Sequence, residues 1–225
     1  MQLSDFTIHN LFDLSETIAA DLFDGRTYPW EVLGDIQDYI IALGNKLPAD
    51  RFEKREGNIW VAKSAKVFDS AYIGGPCIID EEAEVRQCAS IRGSAIVGKG
   101  ATVGNSTELK NVVLFNKVEV PHYNYVGDSV LGFHAHMGAG SITSNIKADR
   151  KNIVIHCGGE NLETGLRKIG AMLGDWADIG CNSVLNPGTV IGRHTNVYPL
   201  SMVRGCVPSR HIYKDKDHVV EKIAD

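Results

Sequence analysis

The chain has 225 residues, of which 44% are hydrophobic and 23% charged, enough apolar side chains for one sizeable domain and an appendage. Its formal net charge of −5 includes no basic run, which argues against nucleic acid or an anionic membrane as a partner. No stretch approaches the roughly 20 apolar residues of a spanning helix, and the start has no signal-peptide pattern, so we expect a cytoplasmic enzyme. Five cysteines, an odd number, fit reduced thiols, and we expect neither disulfides nor a zinc cluster.

Residues 1–55 predict a helical arm. Ser15 is a candidate cap for one helix that ends at Gly25, and Pro29 is a candidate start for a second helix that ends at Gly44. Both helices have an apolar stripe that needs a surface to cover. We therefore expect the arm to pack on the main domain or across a subunit boundary.

From residue 56 an aliphatic side chain recurs at steps of mostly six residues, usually with a small side chain four residues later. Such a period means that each unit buries its apolar face only by stacking on its neighbours. Six residues are too few for a helical repeat but suit a short strand and a tight turn. The pattern predicts a mainly β fold, a β-solenoid over residues 56–210 followed by a tail over residues 211–225. The aliphatic series is Val61, Val67, Ile73, Ile79, Val85, Ile91, Val97, Val103, Leu109, Leu114, Val120, Val126, Leu131, Met137 and Thr143, then Leu173, Ile179, Leu185, Ile191, Val197 and Val203.

Glycine often follows the aliphatic residue of this repeat. Examples are Ile73-Gly74, Val97-Gly98, Val103-Gly104, Ile179-Gly180 and Ile191-Gly192. In these features the chain resembles the hexapeptide-repeat acyltransferases. The resemblance implies a left-handed parallel β-helix with three hexads in each triangular coil, usually assembled as a homotrimer. The general rule for parallel crossovers favours the right-handed form, so the handedness rests on the resemblance alone.

The repeat also places two cations relative to each other. Arg92 and Lys110 each follow an aliphatic position and are eighteen residues apart, so they should stack on adjacent coils. Such a pair suits a phosphate group, because arginine offers a bidentate fork and lysine a compact charge. A pair of solvated surface charges is the alternative interpretation.

Three motifs resemble the acetyltransferase domain of the bifunctional N-acetylglucosamine-1-phosphate uridylyltransferase/glucosamine-1-phosphate acetyltransferases. They are V-G-N-x-x-E-x-K ending at Lys110, H-x-x-Y-x-G-D from His122 to Asp128, and G-A-G-x-I-T-x-N from Gly138 to Asn145. The resemblance covers about residues 85–210. It implies acetyl-CoA-dependent N-acetylation of an amino-sugar phosphate, of the glucosamine-1-phosphate or galactosamine-1-phosphate type, in nucleotide-sugar and cell-envelope precursor metabolism. Acetyl-CoA is a co-substrate in this chemistry, which requires no metal.

The resemblance also assigns roles to single residues. His122 falls on the catalytic base and Glu108 on the carboxylate beside it. A protonated sugar amine must lose a proton before it attacks a thioester, and histidine titrates where it can accept one. Lys151 falls on a further substrate contact, with Arg150 as the alternative if the loop shifts by one residue. The other implied contacts are Arg92, Lys110, Tyr125 and Asn145 for sugar and phosphate, and Ala139 and Cys181 for acetyl-CoA.

Spacing bears on this assignment independently. Ala139 lies seventeen residues after His122, which places it one coil further along the same side of the solenoid. Lys110 and Asn145 belong to the adjacent side. We therefore expect one corner of the solenoid to collect the whole site.

His136 departs from the family pattern, which has an asparagine here that touches the sugar. Histidine is bulkier, replaces an amide donor and acceptor by two ring nitrogens, and can carry charge near about pH 6.5. We expect His136 to favour a different hydroxyl pattern or an extra anionic group on the acceptor. A galacto-configured amino sugar 1-phosphate is therefore a rival to glucosamine 1-phosphate.

The six-residue period fails between Lys151 and Leu173, where we expect an inserted hairpin or loop over about residues 152–170. Its end, Thr164 to Ala171, is similar to a segment of the two-domain archaeal-type sugar-1-phosphate nucleotidyltransferases. Tyr28-Pro29-Trp30 is similar to the arm that joins the two domains of such enzymes. No glycine-rich nucleotide loop occurs before residue 56, so we expect no pyrophosphorylase activity from this chain.

Two other functions stay open. One is a non-catalytic trimeric β-helix that assembles with a separately encoded sugar nucleotidyltransferase, although His122 and Lys110 are both retained. The other is a γ-class carbonic anhydrase, whose three histidine ligands bind zinc across a subunit interface. His122, His134, His136 and His156 invite that comparison, but the close pair here is His134-x-His136 where the enzyme has two histidines separated by four residues.

Overall fold

The computed structural model describes residues 1–223, which are mainly β-strands. Short parallel strands follow one another around the three sides of a solenoid, which we name faces A, B and C in chain order. Each strand pairs with strands of the neighbouring coils on its own face, as Glu84 does with Thr102 and Ser90 with Glu108. The predicted fold class, a left-handed parallel β-helix with a small helical N-terminal segment, is confirmed.

The three faces take their strands in rotation along the chain. Face A contains Ile59–Ala62, Cys77–Ile79, Ala95–Val97, Ala171–Leu173, Thr189–Ile191 and Cys206–Val207. Face B contains Lys66–Val67, Glu84–Val85, Thr102–Asn105, Glu119–His122, His136–Met137, Asp178–Ile179, Asn196–Val197 and His211–Asp215. Face C contains Tyr72–Ile73, Ser90–Ile91, Ile142–Thr143, Val184–Leu185 and Met202–Val203. Antiparallel strands close the two ends, Phe52–Arg55 beside Ile59–Ala62 and His218–Glu221 beside His211–Asp215.

Two seven-residue strands, Glu108–Leu114 and Tyr125–Leu131, belong to both face C and face A. Each turns the corner without a break, at Asn111 and Asp128, which have φ of 55° and 49°. Asparagine and aspartate adopt this left-handed region more readily than most residues. Two of the three sequence motifs, those that end at Lys110 and Asp128, therefore lie on the two coils with the most continuous backbone pairing.

The aliphatic series points into the solenoid, where it forms the core. Val85, Ile91, Val97 and Val103 are 0% exposed, and each such side chain contributes roughly 1.5–3 kcal/mol by its burial. Hydroxyl residues at the small position are satisfied by backbone, as when the Thr107 hydroxyl donates to the Val120 carbonyl at 2.9 Å. The two residue positions of the hexad, aliphatic and small, thus both point into the core.

Face A is covered by the N-terminal arm. On this face the residue before each inward aliphatic is also apolar and points outward, under the arm. The helix α2, Ile36–Gly44, lies over the strands that begin at Cys77, Ala95 and Glu108. The Phe12 ring contacts the Phe115 ring with centroids 5.1 Å apart. The outward residues that are at most 3% exposed are Trp60, Ile78, Ile96, Val113, Val130, Met172 and Val190.

The arm is less helical than the sequence predicts. The first expected helix is replaced by two 3-10 turns, Leu14–Glu16 and Ala20–Phe23, and the second by a 3-10 turn, Pro29–Val32, followed by α2. A further 3-10 turn, Leu3–Phe6, and the four-residue helix α1, Ile8–Leu11, come before them. Segments this short gain little from their own hydrogen bonds, so contact with face A fixes their conformation instead. No helix within residues 1–223 is long and apolar enough to cross a bilayer.

The insertion is a hairpin of Val154–Cys157 and Glu160–Glu163 that extends the cover of face A. Ile155 is fully buried, and the Cys157 side chain contacts Cys206 at the last strand of the face. Residues 211–221, expected as a tail, instead continue face B as a hairpin, so the solenoid extends past residue 210. Within the expected tail, only Ala224 and Asp225 lie outside the described residues.

Asp175 ties the arm to the solenoid. Its fully buried carboxylate accepts the N–H of Asp13 and the N–H of Phe133, each at 2.8 Å, and pairs with the Arg193 guanidinium. Burial raises the pKa of Asp175, and these donors oppose the rise. Because the Asp175 N–H also donates to the Leu11 carbonyl, at 2.9 Å, one residue fixes both chain segments.

Candidate functional site

His122 ends its strand at the corner between faces B and C, and its side chain is exposed. Its backbone N–H donates to Asn124 Oδ1 at 3.0 Å, and its carbonyl accepts the N–H of Gly140 at 3.0 Å. Asn124 is buried, and its amide donates to the Gly138 carbonyl at 2.9 Å. The backbone that carries the imidazole is therefore held from the next coil, while the ring itself stays accessible.

Ala139 and Cys181 continue this column on the following coils. The strand register pairs Glu119 with His136 and His136 with Asp178, which places the third residue after each of them at one corner. Cys181 is exposed, and a Cβ added to Gly138 would lie 3.0 Å from Cys181 Sγ and 2.7 Å from its backbone nitrogen. The close stacking predicted for His122 and Ala139 is present in the structure.

Arg92 and Lys110 lie side by side on face C, as their spacing predicts, because Ser90 pairs with Glu108. Arg92 Nη1 donates to Glu108 Oε1 at 2.9 Å, and this hydrogen bond raises the pKa of Arg92. Lys110 Nζ lies 3.6 Å from Asp128 Oδ1. Both cations thus have an acidic neighbour and are held on the outer surface of the same face.

Asp128 is a further candidate residue, which the sequence motif contained but our assignment omitted. Its side chain is 6% exposed and accepts the amide of Asn111 at 3.0 Å and the amide of Asn145 at 2.6 Å. The Asn145 amide also donates to the Tyr125 hydroxyl at 3.2 Å. Burial raises the pKa of Tyr125, and the negative charge of Asp128 adds to the rise. The signal for Asp128 was its seventeen-residue spacing from both asparagines.

The candidate residues form two groups, and the expectation that one corner of the solenoid collects them stays a prediction. His122 belongs to the B–C corner, whereas Lys110 and Asn145 belong to the far edge of face C. Gly127, the residue that pairs with Lys110, is five positions after His122, and the chain turns at Tyr123 between them. Glu108 contacts Arg92 rather than His122.

Lys151 lies outside both groups. It is exposed in the loop before the hairpin, where its N–H donates to Asp149 Oδ1 at 3.0 Å. The cations near Asp128 come instead from the other end of the insertion, because Arg167 and Lys168 line a cavity of about 430 Å³ with Asp128. Both cations fall within residues 164–171, the segment whose similarity to two-domain nucleotidyltransferases was noted above.

His136 lies on face B, away from the phosphate-type cluster. Its Nδ1 is 2.8 Å from Asp178 Oδ1, and Asp178 also accepts the amide of Asn196 at 3.1 Å. The hydrogen bond to Asp178 raises the pKa of His136 against the effect of burial, and it lowers the pKa of Asp178. Only Nε2 of His136 is left to contact a ligand.

The other histidines considered for zinc point to different partners. His134 stacks on Trp176 with centroids 4.1 Å apart, and His156 Nδ1 lies 2.6 Å from Asn161 Oδ1. Within residues 1–223, no three histidine, cysteine, aspartate or glutamate side chains are grouped to hold a metal ion.

Comparison with known proteins finds relatives of the type that the sequence motifs resemble. A family model described as the GMPPB C-terminal domain matches residues 73–157. The chain is 28% identical over 204 residues to a bifunctional sugar-1-phosphate nucleotidylyltransferase/acetyltransferase of Sulfurisphaera tokodaii, covering 83% of this chain and 47% of the relative. It is 28% identical over 198 residues to the bifunctional protein GlmU of Methanococcus maripaludis, covering 87% of this chain and 48% of the relative. The resemblance to the hexapeptide-repeat acyltransferases is confirmed.

This hexapeptide-repeat chain spans about half the length of the curated relatives it matches. Among solved structures, it is similar to a hexapeptide transferase family protein from Anaplasma phagocytophilum. That similarity has a TM-score of 0.42 and 16% identity, covering 73% of this chain and 79% of the other.

Proposed function

We propose that the chain is an acetyl-CoA-dependent N-acetyltransferase of an amino-sugar phosphate, with His122 as general base. The observation that supports this best is the accessible His122 in one column with Ala139 and Cys181, at the edge of the face that carries Arg92 and Lys110. The relatives named above are similar to this chain over 83% and 87% of its length. The proposed site of action is the cytoplasm.

His122 would accept a proton from the sugar ammonium, freeing the nitrogen lone pair to attack the thioester carbonyl carbon. The tetrahedral intermediate then loses a second N–H proton and collapses, the carbon–sulfur bond breaks, one proton leaves with the coenzyme thiol, and the other passes to solvent. Ala139 and Cys181 lie on the coils that follow, where the pantetheine chain would run along the corner. No step requires a metal.

The acceptor phosphate would bind at the far edge of face C. Lys110 supplies the nearest cation, and Asp128 orients both its ammonium and the Asn145 amide. Arg167 and Lys168 add positive charge on the opposite wall of the adjoining cavity. Arg92 is held by Glu108, so in this proposal Glu108 positions a phosphate ligand instead of the base.

A homotrimer would reconcile the two groups of site residues. In an amino sugar 1-phosphate the amine and the phosphate occupy neighbouring carbons, so the base and the phosphate ligands must lie close together in the assembled site. A second copy can place its own cluster beside the His122 corner. Exposed apolar side chains border that corner and suit burial between copies. They are Tyr123, Tyr198, Leu200 and Met202.

Thiol release from acetyl-CoA tests the proposal. The full chain is assayed with glucosamine 1-phosphate, galactosamine 1-phosphate and nucleotide-linked amino sugars, each beside its N-acetylated form as the matched control. We expect release with at least one free amine and none with the blocked acceptor. Equal release with and without amine, or none with any acceptor, would support the non-catalytic partner of a separate nucleotidyltransferase instead.

A further inference from the structure

The motif V-G-N-x-x-E-x-K contains an asparagine, Asn105, to which the proposed reaction gives no role. This residue ends the face B strand Thr102–Asn105 and lies at the corner between faces B and C. The strand register pairs it with His122, which ends the next strand of the same face. Paired residues of neighbouring parallel strands lie about 4.8 Å apart and project to the same side. Asn105 and the proposed base are therefore direct neighbours on adjacent coils.

Asn105 is held in place by both neighbouring coils. Its backbone carbonyl accepts the N–H of Tyr123 at 2.9 Å, and its side-chain Nδ2 donates to the Gln87 carbonyl at 3.1 Å. A backbone carbonyl only accepts hydrogen bonds, so the atom that faces Gln87 must be the amide nitrogen. These two contacts fix the orientation of the whole carboxamide.

That orientation directs Oδ1 of Asn105 to the side of the base. A carboxamide is planar, and its nitrogen and oxygen lie on opposite sides of the carbon that joins them. Because Nδ2 donates to Gln87 on the preceding coil, Oδ1 is directed away from that coil, to the side on which His122 lies. Within residues 1–223, neither this oxygen nor the His122 ring has a hydrogen-bond partner. Asn105 is partly exposed, so Oδ1 is accessible to a ligand at the corner.

His122 lies between Asn105 and the residues proposed for acetyl-CoA. Ala139 and Cys181 are on the two coils that follow His122, whereas Asn105 is on the coil before it. Lys110 lies on the same coil as Asn105, where the chain continues onto face C. Acetyl-CoA along the later coils leaves the side next to Asn105 for the amine of the acceptor.

We propose that Asn105 binds this amine, an inference that rests on the proposed function and adds a substrate-binding residue to it. A sugar ammonium has three N–H donors. His122 accepts the proton that is lost before attack, and Oδ1 of Asn105 accepts the N–H that the amide product keeps. The nitrogen lone pair is thereby aimed at the thioester carbon. A carboxylate here would stabilise the ammonium and oppose its deprotonation, which a neutral amide does less.

This arrangement also selects an amine over a hydroxyl. A sugar hydroxyl has one hydrogen to donate, so it cannot serve His122 and Asn105 together. An ammonium donates to both, and its charge strengthens each hydrogen bond. The two residues thus distinguish an amino sugar from the common sugar of the same shape.

Calorimetry on the full chain tests this role with matched ligands. Glucosamine 1-phosphate is compared with glucose 1-phosphate, and galactosamine 1-phosphate with galactose 1-phosphate. The parent should bind at least one amino sugar about tenfold more tightly than its hydroxyl counterpart. Asn105→Ala should lower this preference about tenfold, because it removes a hydrogen bond to a charged group. Asn105→Asp keeps an oxygen and adds a negative charge, so it should raise the preference.

Gln87→Ala is the control, because it removes an exposed side chain one coil further from His122 and should keep the preference of the parent. If Asn105 only holds the backbone, Asn105→Ala weakens both ligands equally. That result overturns the proposal, as does a parent that binds neither ligand or binds both equally. Thiol release is not used, so a chain that selects the amine through Asn105 without transferring acetyl contradicts the proposed function alone.

Discussion

Faces A and C repeat the same inward hexad, yet they differ in the residue that points outward. On face A this residue is apolar and covered, as at Ile78 and Ile96, both 0% exposed. On face C the same position carries Ser90, Glu108 and Tyr125, and the last two are candidate site residues. One repeat thus encodes two surfaces, because the inward residue specifies the solenoid and the outward residue specifies what contacts it.

The largest expected effect is a difference in stability between two substitutions in one coil, one under the arm and one on an uncovered face. Ile96→Ala removes an outward side chain under α2 and should lower the free energy of unfolding by about 2–5 kcal/mol. Thr102→Ala changes the equivalent outward position on face B and should stay within about 0.5 kcal/mol of the parent. Denaturant unfolding measures both. Equal losses would show that the arm does not stabilise face A.

The next effect concerns the open face. Lys110→Ala should raise the KM for the phosphorylated acceptor roughly 10- to 150-fold, since hydrogen bonds to charged groups contribute about 1.5–3 kcal/mol. The KM for acetyl-CoA should not change. Lys99→Ala, which removes a paired surface cation near Glu82, is the control. An unchanged acceptor KM in the Lys110 variant would reject the phosphate site.

His136 tests whether face B contributes to acceptor choice. Because Asp178 engages Nδ1, only Nε2 of His136 can form a hydrogen bond with the acceptor. His136→Asn replaces this imidazole nitrogen by a side-chain amide. We expect the ratio of kcat/KM for galactosamine 1-phosphate over glucosamine 1-phosphate to fall about tenfold. If both acceptors respond equally, His136 does not read the sugar.

The smallest effect is the pH dependence of stability from the His136–Asp178 pair. The raised pKa of His136 gives stability that is complete below about pH 6.5 and is lost as pH rises through the folded value. The lowered pKa of Asp178 gives stability that is present above about pH 4 and is lost below it. Both side chains are 38% or more exposed, so the gain should stay below about 1 kcal/mol. Between pH 5 and 8, the free energy of unfolding of Asp178→Asn should change less with pH than that of the parent. Equal pH dependence in both proteins would show that the pair does not contribute to stability.

The sequence predicted the solenoid and the stacking of Arg92 on Lys110, because a strict period fixes which residues are neighbours on adjacent coils. It also placed Ala139 above His122. It did not predict the Glu108–Arg92 contact, since side-chain direction on a wide face does not follow from spacing. Lys168 was missed because the insertion interrupts the period that assigned the other positions. The arm was predicted as longer helices because its apolar spacing was read without the surface that shapes it.

Proton transfer by His122 at the B–C corner is the central proposal, and one kinetic comparison tests it most directly. Thiol release is measured with saturating acetyl-CoA and a responsive amino-sugar acceptor for the parent, His122→Ala and His218→Ala, the last an exposed histidine on the C-terminal hairpin. We predict that His122→Ala lowers kcat by about 10²- to 10⁴-fold with an unchanged unfolding midpoint, because the side chain is exposed, while His218→Ala matches the parent. A His122→Ala enzyme within a few fold of the parent would contradict the assignment of this corner as the site of proton transfer.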